Sequence, residues 1–132
     1  MQKIIDEMLD KKSWAVVGAT QNASKFGNKI VKKLKEFGYD VYPVNPAYDE
    51  VEGLKCYKSL TDLPIKPDCV SLVVGPDKAN SVVEEANGLG IDHIWFQPGS
   101  FSDKTIELAE KHELKIVYYN CVLVELDKRI DL

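Results

Sequence analysis

The stretch "WAVVGATQNASKFGNKIVKKL", Trp14 to Leu34, runs from an apolar strand, Trp14 to Val17, through a turn opened by Gly18 into a helix. The helix is expected from about Lys25 to Phe37. Phe26, Ile30, Leu34 and Phe37 share one face, Ser24 can cap the amino end, and Gly38 supplies the stop. A strand entering a helix through a glycine turn is how a nucleotide-binding βαβ unit begins. In a dinucleotide fingerprint one glycine makes the turn, a second admits the pyrophosphate and a third lets helix and strand pack closely. Here the later fingerprint positions hold Thr20 and Ala23, Gly18 keeps the first role, and the next glycine is delayed to Gly27. A relaxed match of this kind is weak evidence by itself. Helix amides, the positive end of the helix dipole, the Thr20 and Ser24 hydroxyls and the Lys25 ammonium would together suit an anion. The same residues are equally consistent with a glycine that only turns the chain and a solvated lysine.

Outward from this stretch, strands and helices alternate. Ile4, Ile5, Met8 and Leu9 form one stripe of a short helix before it. After it comes a strand, "DVYPVN", whose Pro43 implies a place that needs no backbone donor, such as a strand end or a bulge. The segment "AYDEVEGLKCYKSLTDLPIKPD" carries turn signals at Asp49, Gly53, Pro64 and Pro67 and reads as a functional loop, with one helical turn capped by Ser59. "CVSLVV", Cys69 to Val74, is a continuous apolar run, as expected of a central strand covered on both faces. A helix capped by Asp77 follows, with Ala79, Val82, Val83 and Ala86 facing inward, and then a fourth strand, "IDHIWFQ". Phe101 and Ile106 flank Ser102 with the spacing of a hydrophobic staple and open another helix. "LKIVYY" is the last strand, and "NCVLVEL" is a further strand or helix.

This order predicts a single α/β domain over residues 1–132: a doubly wound, mostly parallel sheet of five strands of the Rossmann-like kind. Ligands of such sheets sit beyond the carboxyl ends of the strands.

Composition bounds the function. The 132 residues carry 17 Lys and Arg against 21 Asp and Glu, a net charge of −4, which argues against a nucleic-acid track. The amino terminus is amphipathic and acidic, and no run approaches membrane-spanning length, so a cytoplasmic protein without a membrane partner is expected. Three scattered cysteines, Cys56, Cys69 and Cys121, lack any zinc or redox spacing, and two histidines, His93 and His112, argue against a metal site. Nicotinamide dinucleotides are disfavoured, because the second strand ends in Val44, Asn45 and Pro46 where an acid would hold the ribose.

The motifs "AVVGAT" with "KFG", "GYDVYPVNP", "VEGLKCYKSLTDLP", "PDCVSLVV", "GIDHIWFQPGS" and "NCVLVE" together span nearly the whole chain. In these the sequence resembles the stand-alone CoA-binding proteins, similar to the CoA-binding domain of the succinyl-CoA synthetase alpha subunit. The resemblance implies coenzyme A, or an acyl-CoA, lying across the strand ends. Its diphosphate would lie near Gly18, Ala19, Thr20, Lys25 and Phe26, its adenosine near Val44, Asn45 and Pro46, with the Gly75 to Pro76 turn lining the same crevice. One branch of the family carries arginine after the third strand. Here "VVGPDK" stands instead, so one cation is absent unless Lys78 replaces it.

No catalytic constellation is evident. His93 reads as an edge or surface histidine, His112 as a helix-end charge favourable to the dipole, Cys69 as core and Cys56 as an exposable loop thiol. Cys121 follows the last strand and reads first as a small packed residue, with a crevice-facing thiol as the alternative. Trp95, Phe96, Tyr118 and Tyr119 divide between core and ligand by alternation. The expected function is binding of CoA or a short acyl-CoA without catalysis. The alternatives are a component of a CoA ligase or transferase that works with a separate catalytic chain, or a small NAD(P)-binding oxidoreductase. The region carrying the synthetase's phosphohistidine has no counterpart in the sequence. A small sheet with open edges also admits a homodimer. Gly18→Val is expected to block the close approach of a diphosphate.

Overall fold

The computed structural model describes residues 1–130. Helix α1 (Gln2–Leu9) buries Ile5, Met8 and Leu9, and the chain then enters strand β1 (Ser13–Val17). Helix α2 (Phe26–Glu36) returns it to strand β2 (Asp40–Val44). A small hairpin follows, β3 (Glu50–Val51) with β4 (Leu54–Lys55), and then a single 3₁₀ turn at Leu60–Asp62. Strand β5 (Cys69–Leu72), helix α3 (Pro76–Gly88), strand β6 (His93–Phe96), helix α4 (Asp103–Lys111), strand β7 (Lys115–Val117) and helix α5 (Val122–Ile130) complete the order.

The main sheet has the order β2-β1-β5-β6-β7 with every pairing parallel. It is α/β and Rossmann-like, as the alternation implies. Its two faces follow from side-chain alternation along β1. Trp14 and Val16 join α1, α2 and α5 in one core, while Ala15 and Val17 join α3 and α4 in the other. All four residues of β5 are buried, which is why that strand reads as an unbroken apolar run. Pro43 is tolerated because β2 is an edge strand of this sheet, partly covered by a bridge between Val44 and Tyr57.

Several local expectations need correction. Lys25, with extended backbone, is the N-cap of α2 in place of Ser24, whose hydroxyl donates to Asn22 Oδ1 at 2.7 Å. Phe26 lies off the packed face and is 52% exposed. Gly75, not Asp77, caps α3, because Pro76 has the fixed φ and missing N–H that suit the first helical position. The long loop contains the unforeseen hairpin, whose central Glu52 and Gly53 both have the positive φ that a tight hairpin turn requires. Ser59 does precede the 3₁₀ turn, with its hydroxyl on Asp62 Oδ2. Ser102 caps α4 in a reciprocal capping box with Thr105. The tail after β7 is helical.

His93 is buried rather than at the surface. Its Nδ1 lies 2.7 Å from Asp92 Oδ1 and its Nε2 3.0 Å from Glu7 Oε2, which ties α1 to the amino end of β6. The hydrogen bond to His93 holds the Glu7 carboxyl below the ordinary carboxylate range, against a smaller desolvation effect. Cys56 is buried as well, and burial pushes its thiol up. Cys69 is core, its thiol raised by the same cause. Trp95 and Phe96 are both buried, on opposite faces. No helix among the described residues is long and apolar enough to cross a membrane.

Candidate functional site

From β1 the chain crosses to β2 on one side and later to β5 on the other, so the strand order reverses beside the carboxyl end of β1. A crevice forms at such a point because the two connections leave the sheet in opposite directions. It measures about 750 Å³ and is walled by Gly18, Thr20, Lys25, Phe26, Asn45 and Gly75, with Ser24, Gly27, Ala47, Tyr48, Val73, Val74 and Lys78 completing the lining. That size suits a small-molecule ligand.

Its floor depends on two glycines. Gly18 has φ +97°, and a Cβ there would lie 2.2 Å from the Val73 carbonyl oxygen. A Cβ on Gly27 would lie 2.1 Å from the carbonyl oxygen of Gly18. Gly27 therefore performs the helix-to-strand packing role, displaced along the sequence by the longer turn. Gly18→Val therefore also acts inside the protein, on the Val73 backbone.

The turn between these glycines is held by its own polar groups. Thr20 Oγ1 is 2.9 Å from Tyr48 Oη and accepts the Asn22 N–H at 3.2 Å, while Asn22 Oδ1 accepts the Ser24 N–H at 3.0 Å. Asn28, buried in α2, donates to the Thr20 carbonyl at 3.0 Å and to Glu52 Oε2 at 3.1 Å. The Asn45 amide donates to the Ala19 carbonyl at 2.8 Å, and its oxygen accepts the Ala47 N–H at 2.9 Å. With both ends of its amide engaged, Asn45 is a positioning residue. The first-turn amides of Phe26 and Gly27 have no acceptor among the described residues, as is usual at a helix start, and both residues line the crevice. Lys25 stands beside them and Lys78 on the α3 side, so the lining offers two ammonium groups and two free amides to an anion.

A second cavity of about 390 Å³ shares Lys78 with the first. Val17, Val44, Pro46 and Val82 give it apolar walls, and Lys58, Ser59, Ser81 and Glu85 add polar groups. The residues expected near a ligand thus fall into three groups. Gly18, Thr20, Lys25, Phe26, Asn45 and Gly75 line the first cavity, and Val44 and Pro46 line the second. Ala19 is fully buried and presents no side chain to either, and Pro76 opens α3 outside both linings. The sequence reading missed Tyr48, Gly27, Lys58 and Ser59. The only signal for Tyr48 was its place three residues after the strand-ending Asn45.

At the other end of the sheet edge, Cys121 is half-buried with Gln97 Nε2 donating toward its sulfur at 3.1 Å. Phe101, Tyr118 and Tyr119 pack edge to face or tilted nearby, with Tyr119 73% exposed. Among the described residues no group of three or more His, Cys, Asp or Glu side chains is placed to hold a metal ion.

Comparison with known proteins gives this geometry a context. The family model described as a CoA binding domain matches residues 12–127. The chain is 34% identical over 119 residues to an ADP-forming acetate–CoA ligase of Methanocaldococcus jannaschii, covering 84% of this chain and 17% of that protein. It is 29% identical over 130 residues to the alpha subunit of ADP-forming acetate–CoA ligase II of Pyrococcus furiosus, covering 90% of this chain and 28% of the relative. The chain therefore spans well under a third of the length of these relatives. Among solved structures, a hypothetical protein from Pyrococcus horikoshii superposes with a TM-score of 0.91 at 36% identity, covering 98% of this chain and 91% of that one.

Proposed function

The chain belongs to the CoA-binding domain family, and from that premise we propose that it holds coenzyme A or a short acyl-CoA as a single domain over residues 1–132, in the cytoplasm and without chemistry of its own. The observation that carries this reading is the pairing of an anion-suited cavity with a neighbouring one that has apolar walls. The Phe26 and Gly27 amides, Lys25 and the Thr20 region would take the diphosphate, whose charge the helix dipole also favours. Val44, Pro46 and the neighbouring apolar walls would take the adenosine, and Gly75 would flank the bridge between the two. Asn45 and Ala19 contribute by holding the crevice open through their hydrogen bond, and Pro76 by fixing the start of α3. CoA supplies a thiol for acyl transfer, and the residues described here bind and orient its nucleotide end.

A second reading has a specific observation behind it. The relatives include an alpha subunit of an ADP-forming ligase, and the chain matches only a fraction of its length. The domain could then present CoA to a separate catalytic chain. A nicotinamide dinucleotide remains the weaker reading, since β2 ends without an acid and the Asn45 amide is already engaged. A thermal-shift series with CoA, acetyl-CoA, NAD, NADP and AMP separates the ligands. Stabilisation that grows with CoA species above the rest supports the proposal. A response to NAD alone, or to none of them at millimolar concentration, overturns it.

A further inference from the structure

The second cavity carries more positive charge than an adenosine needs. Its polar lining contains Lys58 and Lys78, two serines, and one carboxylate, Glu85. That carboxylate is already engaged, because Glu85 Oε2 accepts the Thr61 N–H at 3.2 Å and the Thr61 hydroxyl at 2.7 Å. Neither lysine has a carboxylate within ion-pair distance among the described residues, whereas Lys33, Lys115, Lys128 and Arg129 each do. In a chain of net charge −4, two ammonium groups sharing one small cavity with a single carboxylate form a local excess of positive charge, neither of them in an ion pair among the described residues.

Lys58 is also held in place by the fold. The residue before it, Tyr57, exchanges backbone hydrogen bonds with the edge of the sheet. Its N–H donates to the Pro43 carbonyl at 2.9 Å, and its carbonyl accepts the Asn45 N–H at 2.8 Å. The residues after it enter the 3₁₀ turn, packed through buried Leu60 against the α3 side of the core. The backbone that carries Lys58 is therefore pinned on one side to the strand whose end forms the apolar wall and on the other to the α3 side of the core.

Resting on the reading that the crevice holds CoA, we propose that Lys58, with Lys78, reads the ribose phosphate of the ligand and makes the site selective for a 3′-phosphorylated adenosine. That group is a dianionic phosphomonoester attached to the same ribose whose base the apolar walls would receive. It is the one group that distinguishes CoA from dephospho-CoA, and ADP and NAD lack it as well. Lys78 lines both cavities and so contributes to the diphosphate and the ribose phosphate alike, whereas Lys58 lines only the second. Lys58 is then the specificity-determining residue.

The test is calorimetric titration of CoA and of dephospho-CoA into the parent chain and into Lys58→Ala, with melting temperatures confirming that the variant folds. The parent is expected to bind CoA about tenfold or more tightly than dephospho-CoA, the scale of one charge-assisted hydrogen bond. Lys58→Ala is expected to lose most of that preference while binding dephospho-CoA as the parent does. Lys58→Glu is expected to reverse the preference. Equal binding of the two ligands by the parent overturns the selectivity while leaving CoA binding intact. An equal loss for both ligands in Lys58→Ala shows that the residue does not read the ribose phosphate. Absence of binding by either ligand overturns the CoA reading itself and this inference with it.

Discussion

Gly27, in the first turn of α2, lies against the carbonyl of Gly18 at the end of β1, so closely that a methyl group on Gly27 would sit 2.1 Å from that oxygen. Helix and strand can meet at the crevice floor only while Gly27 lacks a side chain. The contact places the free helix amides beside the strand end, which is where an anion would lie.

Gly27→Ala is accordingly expected to destabilise the fold by about 1–3 kcal/mol, the usual cost of overpacking. At about 4 °C per kcal/mol for a domain of this size, the melting temperature should fall by roughly 4–12 °C. Gly18→Val should cost at least as much, since it adds a positive φ to a clash with the Val73 backbone. A thermal melt checks both. A Gly27→Ala variant that melts with the parent would show that the helix tilts away freely.

Lys25 is exposed and has no ion-pair partner among the described residues, so Lys25→Ala should leave stability within about 0.5 kcal/mol of the parent. CoA affinity should fall by roughly tenfold, the scale of a charge-assisted contact to phosphate. Titration calorimetry on the folded variant measures it, and unchanged affinity removes Lys25 from the site.

Asn28 is 1% exposed, and its amide bonds both the Thr20 carbonyl and Glu52 Oε2. Asn28→Ala leaves the Thr20 carbonyl without its donor and removes one of the two α2 contacts to Glu52, the Lys35 ammonium remaining on the Glu52 carbonyl at 2.8 Å, with an expected loss of about 1–3 kcal/mol. Urea denaturation reads the loss. Retention of full stability would mean that water replaces the amide at no cost.

Stability should also fall in acid through Asp68. Burial raises its carboxyl, but the Ser13 amide, the Ser13 side chain and the Lys12 amide together outweigh it and hold the group below the ordinary range. Because the folded value lies below the unfolded one, the contribution is fully present above roughly pH 4 and is lost as pH falls through the folded value. Asp68→Asn should be less stable than the parent at pH 7, with the gap closing toward pH 2.5 in urea melts. A gap independent of pH would assign the effect to packing.

The main sheet was legible because its signals are local. The apolar run of β5, the inward stripe Ala79, Val82, Val83 and Ala86, and the Ser102 cap each act through residues near in sequence. Where tertiary contacts decide, the reading failed. His93 looks polar and peripheral until Glu7 and Asp92 close over it, and Cys56 looks exposed until the hairpin buries it. Two-residue strands carry no periodicity, so β3 and β4 were invisible, and Lys58 and Tyr48 went unnoticed with them. Of the residues expected near a ligand, Gly18 is the one whose backbone geometry demands glycine, through its positive φ and its closeness to the Val73 carbonyl. Ala19 lies in the same turn with its side chain buried in the core, an orientation that the sequence alone does not carry.

The most direct measurement is calorimetric titration of CoA into the purified chain, with NAD and AMP titrated in parallel. Saturable 1:1 binding of CoA, tighter than that of either comparator and weakened in Lys25→Ala, is the predicted result. No heat of binding with CoA up to millimolar concentration, from a chain shown to be folded, would contradict the assignment of the β1–α2 crevice as a CoA site.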